Sequence, residues 1–348
     1  MITVFNLMLA FAGCALAVAA VPASSGPVWL EREAFLMGTV LRARVAAADR
    51  ATGAESLEAA FAEIRRLEGV LSAWTPESEI GRLNGSPADV SVQLSSELMT
   101  LLAEADRWSR STEGAFDPAV GALIDAWDLR GEGRRPSTAE VAAALRASGM
   151  EHFRLDLPGS SVVRGAPGAW LDTGAFGKGA ALRSAERVLR DRGTDAAMLD
   201  FGGQVLAYGE SPTPGGEWEI AVAHPSNRHA VAATLRLRSG SVATTAQSER
   251  YVDVNAERYG HVLDPRTGHP VPAWGSVTVV AADPVVADIL STALFVMGPE
   301  AGQRWAAGRG EGILFLKLDE GAVVASWNEA FEQNRIDNQT TSEYDDRK

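Results

Sequence analysis

The run from Val285 to Met297 is apolar at nearly every position, yet it carries Asp288 near its start and Thr292 one helical turn later. This run constrains the fold most. Its length and spacing read as a compact apolar helix with both oxygen-bearing side chains on one face. A lone carboxylate in such a helix is costly unless it is paired or coordinated, so the rest of the chain must bring Asp288 a partner. Carboxylate and hydroxyl oxygens are hard ligands that suit Mg²⁺, with phosphate and water completing the shell. An ordinary salt bridge, or a cap for a neighbouring loop, accounts for the same spacing.

The remaining composition removes several classes. With 32 Lys+Arg against 45 Asp+Glu, the 348-residue chain carries a formal charge of −13, which argues against a nucleic-acid binder, since that needs a concentrated basic field. Cys14 is the only cysteine, so neither an intrachain disulfide nor a multi-cysteine metal cluster can form. At 46% hydrophobic and 22% charged, the chain reads as a folded globule.

Ile2 to Val21 is almost wholly apolar, the first charged residue is Glu31, and Pro22 to Gly26 supplies small residues. Residues 1–26 therefore read as a signal segment of an exported precursor, with a membrane anchor as the competing reading. No Lys or Arg follows Met1, which departs from the usual basic start. Ala12-Gly13-Cys14 resembles the end of a lipoprotein acylation site, although Phe11 stands where leucine is usual. A periplasmic or otherwise extracytoplasmic location follows, free or held at the membrane by lipid.

Residues 27–335 form one expected domain and 336–348 a polar tail; the chain from Asn328 onward is expected to fray. Phe35 to Val45 alternates as a strand broken at Met37-Gly38-Thr39. Leu57 to Leu71 is helical, with Ala60, Ile64, Leu67 and Leu71 facing inward. Ser95 can cap a helix reaching about Arg110, and Pro136-Ser137 precede a short one over Glu140 to Ser148. Asp128 to Arg135 reads as a surface loop. Strands are expected near Trp170, near Ala197, over Trp218–Ala223, Val231–Leu237 and Val277–Ala281, and over Gly312–Leu318. Without regular βαβ units, the fold class is mixed α+β, with largely antiparallel β elements and packed helices.

Three further segments can carry chemistry. From Asp172 to Ala180 a glycine-bearing turn enters an amphipathic helix, so Lys178 and the turn amides could face a phosphate, and a backbone carbonyl could join Asp288 and Thr292 around a cation. A plain tight turn capped by Asp172 explains the same residues. In Gly114-Ala115-Phe116-Asp117-Pro118, Asp117 either accepts hydrogen bonds from a polar ligand or caps the next turn. In His261 to Gly268, Pro265 and Gly268 shape a turn that presents His261, a group able to take a hydroxyl proton or to serve structurally. Asp264 can hold that turn or orient His261, and Arg266 suits either an ion pair or a diphosphate. Gly202-Gly203 permits a close backbone approach.

Taken in order, Met37-Gly38-Thr39, Ser72-Ala73-Trp74, Ser78-Glu79-Ile80, Asn84, Gly114 to Pro118, Asp172 to Gly179, Gly202-Gly203, His261 to Gly268 and Asp288 to Thr292 resemble the ApbE family of flavin transferases. The likeness spans roughly residues 33 to 330 and implies that family's fold. It implies that Asp288 and Thr292 hold Mg²⁺ together with the Ala175 carbonyl. It also implies that Met37, Trp74, Ala115, Phe116, Asp117, Asp172, Lys178 and His261 lie near FAD. Trp74 stands where relatives usually carry tyrosine, after Ala73 rather than threonine, and Thr244-Thr245-Ala246 departs from the common Thr-Ser-Gly.

The implied reaction is attack by a threonine hydroxyl of an exported or membrane electron-transfer protein on the FMN-side phosphorus of FAD, releasing AMP. Asp288 and His261 would be the catalytic residues, the histidine as proton acceptor. Two other functions fit the same motifs: a Mg²⁺-dependent FAD pyrophosphatase with water as nucleophile, and a periplasmic flavin-binding protein without transfer.

Overall fold

The structure is a computed structural model that describes residues 26–247, 251–254 and 257–334. The expected signal segment, up to residue 25, and the tail from 336 lie outside the described residues.

An antiparallel eight-stranded sheet runs, edge to edge, through Val28–Leu36, Thr39–Ala47, Ala197–Phe201, Gln204–Tyr208, Gly240–Ala246, Gly275–Ala281, Gly312–Asp319 and Ala322–Trp327. The helices are α1 (Arg50–Leu71), α2 (Glu79–Gly85), α3 (Ser96–Ser111), α4 (Gly121–Trp127), α5 (Thr138–Arg146), α6 (Gly177–Asp191), α7 (Pro284–Ala306) and α8 (Glu329–Glu332). The mixed, largely antiparallel class expected from the sequence is the one observed.

Period-two alternation divides the core into two layers. Leu41, Ala43 and Val45 point towards α1 and α6, while Val277, Val279 and Phe315 pack with Leu290 and Leu294 of α7. The intervening residues Val280, Leu314 and Leu316 face the other way, onto Trp218, Ile220 and Leu235 of the hairpin Trp218–His224/Asn227–Leu237. Both faces of the central strands are therefore covered, which is why Gly275–Ala281 is buried throughout.

Local signals placed most elements. The stripe Ala60, Ile64, Leu67 and Leu71 of α1 is buried as expected. Ser95 caps α3 through Leu98 N, and Ser137 with Glu140 forms a capping box on α5. At Met37-Gly38 both residues have positive φ, 46° and 75°, so the strand break is a two-residue hairpin turn. The apolar helix starts at Pro284 behind its cap Asp283, breaks at Gly298 (φ 76°), and resumes to Ala306. It is long and apolar enough to cross a membrane, but most of it is buried within the fold.

Two expectations are corrected. No strand forms at Trp170, because that extended segment is hydrogen-bonded by a side chain instead. Asn84 Nδ2 donates to Leu171 O at 2.9 Å and Asn84 Oδ1 accepts from Leu171 N at 2.8 Å. Nor does the chain fray at Asn328, whose side chain caps α8 and bonds Ile313 N and Glu311 O, while Phe331 is 0% exposed.

Candidate functional site

The site is built where the N-termini of α6 and α7 cross. Gly179 in the first turn of α6 makes the crossing close. A Cβ there would lie 2.4 Å from Pro284 O and 2.7 Å from Val285 Cα, so only glycine fits. Outside this contact, Arg183 of α6 pairs with Asp283 and Glu104 at 2.6 and 2.8 Å, and Asp283 caps α7 through Val285 N. The two helix starts are thereby fixed relative to each other.

This crossing supplies the partner that Asp288 requires. Oδ2 accepts from Gly179 N at 2.9 Å, one of the first-turn amides that has no partner inside its own helix. Phe176, the residue before α6, gives no side-chain cap; Asp288 does so from α7, at the positive end of the helix dipole. Oδ1 faces Lys178 Nζ at 3.1 Å. The capping and ion-pair readings of Asp288 are thus both realised, and they leave one oxygen of a 4%-exposed carboxylate facing a cation. Thr292, half-buried one turn on, turns its hydroxyl back onto the Asp288 backbone carbonyl in a weak bond of 3.4 Å. Ala175, half-buried, precedes α6 by two residues. Carboxylate, hydroxyl and carbonyl oxygens of this kind suit Mg²⁺. Among the described residues no group of three His, Cys, Asp or Glu could hold a metal ion, so any cation site here depends on one carboxylate and neutral oxygens.

Contacts spread from this centre to the other expected residues. A Cβ on Gly177 would sit 3.6 Å from Met37 Cε, placing the positive-φ hairpin tip against the start of α6. The neighbouring turn Gly202-Gly203 nests on it: Gly202 N donates to Val40 O, and a Cβ on Gly202 would press on Thr39. On the other side Ser291 Oγ lies 2.8 Å from Thr245 Oγ1, which ties α7 to the strand Gly240–Ala246. Two residues on, buried Gln247 donates to Val262 O and Val271 O and accepts from Val262 N. That amide holds the loop on which His261 is exposed. A Cβ on Gly260 would collide with it at 1.7 Å.

The second carboxylates act differently. Asp117 accepts from Ser109 Oγ, Ala119 N and Met150 N; burial pushes its pKa up, opposed by these hydrogen bonds. It braces the loop in which Ala115 and Phe116 are buried core residues. Asp172 accepts from Gly174 N, shaping the turn into α6, and pairs with Arg130 at 2.9 Å. Asp264 accepts from the Arg266 backbone and from its guanidinium at 2.9 Å, and this hydrogen bonding first of all raises the Arg266 pKa. Arg266 packs on Gly114, joining the two loops. Trp74 is 67% exposed.

Sequence reasoning missed Gln247, Ser291 and Arg130. The first is a buried polar residue right after a strand, a visible signal; Arg130 lay in a stretch read as plain surface loop.

Fold and site together define a helix-covered antiparallel-sheet protein whose carboxylate–ammonium pair lies at two crossed helix starts, a setting suited to phosphate. The ApbE family profile matches residues 37–315, and the chain belongs to the ApbE family. It is 31% identical over 298 residues to the FAD:protein FMN transferase of Rhodobacter capsulatus, covering 84% of this chain and 56% of that protein. Against a Klebsiella pneumoniae FAD:protein FMN transferase it is 30% identical, covering 77% and 83%. The ApbE protein of Thermotoga maritima superposes with a TM-score of 0.81 at 29% identity, covering 89% and 100% of the two chains. The Pseudomonas stutzeri flavinyl transferase ApbE, apo form, gives 0.80 at 26% identity, covering 89% and 98%.

Proposed function

We propose that this chain transfers FMN from FAD to a threonine hydroxyl of an exported or membrane electron-transfer protein. The observation that carries the reading is the buried Asp288 carboxylate, with one oxygen on an α6 amide and the other facing Lys178. Asp288, Thr292 and the Ala175 carbonyl would hold Mg²⁺, which when bound neutralises charge developing on the diphosphate oxygens. Lys178, whose side chain is partly exposed, turns its ammonium to the same diphosphate. The start of α6 adds the positive end of its dipole. Trp74 offers an indole face to the flavin, although its ring nitrogen cannot reproduce a phenol's hydrogen bond.

His261 takes the proton as the acceptor hydroxyl attacks. The threonine Oγ–phosphorus bond forms at the FMN phosphate, and the bond from that phosphorus to the bridging oxygen breaks. AMP departs with that oxygen, so no water is consumed. We place the reaction outside the cytoplasm, with cleavage of the leader or acylation of Cys14 deciding whether the enzyme is free or membrane-tethered.

The test incubates the purified protein with FAD, Mg²⁺ and an exported flavoprotein carrying the acceptor threonine. Intact mass should show acceptor-bound FMN with AMP formed in equal amount, and a chelator should abolish both. AMP with free FMN and no labelled acceptor would instead make the chain a pyrophosphatase; binding without either product would make it a flavin carrier.

A further inference from the structure

Arg130 is held by four contacts that converge from two segments, 73–74 and 170–172. Its guanidinium carbon lies 4.1 Å from the Trp74 ring centroid and 4.1 Å from that of Trp170. Nη1 donates to Ala73 O at 3.0 Å and Nη2 to Asp172 Oδ2 at 2.9 Å. The second indole is itself fixed, because Trp170 Nε1 donates to Asp125 Oδ2 at 2.8 Å. The Arg130 guanidinium thus lies over both the Trp74 and Trp170 rings, and its planar fork suits this in a way an ammonium would not.

What the guanidinium holds decides its purpose. Trp74 buries little and so adds little to the core, yet both its ring and the backbone carbonyl before it are pinned by one side chain. Asp172, on the far side of the fork, also shapes the turn into Lys178 and Gly179. One guanidinium therefore ties an exposed aromatic surface to the loop that starts the phosphate end of the site. Tryptophan is the best aromatic partner for a cation, which gives the indole at position 74 a physical reason of its own.

We infer that Arg130 is a positioning residue for flavin recognition: it holds the Trp74 indole in one orientation before the isoalloxazine ring stacks on it. This rests on the reading of Trp74 as the flavin platform. Ordering the indole in advance removes that cost from binding. Because the ring is remote from the phosphorus, the gain should be equal in ground and transition states, raising affinity without raising kcat.

The experiment measures steady-state kinetics and FAD-dependent quenching of tryptophan fluorescence for Arg130→Ala, Arg130→Lys, Trp74→Ala and the Arg130→Ala/Trp74→Ala double variant, with Tm followed alongside. Arg130→Ala should raise KM for FAD about tenfold and leave kcat within about twofold. Arg130→Lys should fall between it and the wild type. In the Trp74→Ala background, Arg130→Ala should raise KM far less than it does in the wild type, the remainder coming through its pair with Asp172.

Independent, multiplying effects of the two alanine substitutions would overturn the proposal. So would an unchanged KM, or a KM rise that appears only with a lowered Tm and is absent in Arg130→Lys. Wild-type protein that does not bind FAD would remove the flavin reading itself. Wild-type turnover with an unaffected Arg130→Ala removes only the role of Arg130.

Discussion

Lys178 Nζ and Asp288 Oδ1 lie 3.1 Å apart although the residues are separated by 110 positions in the chain. The pair exists because Gly179 lets α6 and α7 cross at their starts. Asp288→Asn keeps an oxygen for Gly179 N and removes the negative charge. Mg²⁺-dependent AMP release should fall by about 100-fold, while FAD affinity changes by less than about fivefold. Equal turnover at saturating FAD and Mg²⁺ would sink the metal role of this carboxylate.

Gly179→Ala tests the crossing itself. The added methyl would stand 2.4 Å from a backbone carbonyl that cannot swing away as a side-chain end could. Overpacking of this kind costs about 1–3 kcal/mol, and relief requires α6 to move off α7. Denaturant unfolding should show a lowered midpoint, and turnover should fall because Asp288 loses its amide. A variant of native stability and full activity would show that the helices cross loosely.

Glu140 makes the start of α5 sensitive to acid. Its carboxylate is held down at about 2, first by the Ser137 backbone N–H, then by Arg134 and the Ser137 hydroxyl. A pKa lowered in the folded state stabilises fully above the unfolded value near 4.3, and the support is lost as pH falls from there towards 2. The effect is confined to the start of α5, which the capping box holds. The hydrogen-exchange protection factors in the first turn of α5 should fall across that window. In Glu140→Gln protection should already be lower at neutral pH and change little on acidification; a wild-type profile in the variant would reject the assignment.

What could be read from the chain follows the range of each interaction. Helix stripes and the caps Ser95 and Ser137 are local and were legible. The demand of Asp288 for a partner was legible too, but not which partner, since neither Lys178 nor Gly179 is near it in sequence. Trp170 misled because its neighbours look strand-like, while the hydrogen bonds that hold the segment come from an asparagine side chain. Arg130 was invisible for a related reason: a lone arginine in a polar, glycine-bearing loop acquires meaning only when two distant tryptophans close on it. The proposed aromatic and phosphate ends of the site were therefore named separately by sequence, and the residue joining them was not.

His261 is where chemistry and architecture separate most cleanly. Its side chain is exposed, while the backbone beside it is held by Gln247 through Val262 and Val271. The next turn is held by Trp127 Nε1 donating to Gly268 O at 2.8 Å. Truncating the imidazole should therefore leave the backbone of the loop in place while removing the group proposed as proton acceptor. His261→Ala should lower kcat by about 10²–10⁴ with KM for FAD changed far less. Gln247→Leu is the opposite case: the imidazole stays, but the loop loses three hydrogen bonds and Tm should fall together with kcat. If His261→Ala retained full transfer to the acceptor, the proton would have to leave by another route, and the base would need to be sought elsewhere around Asp288.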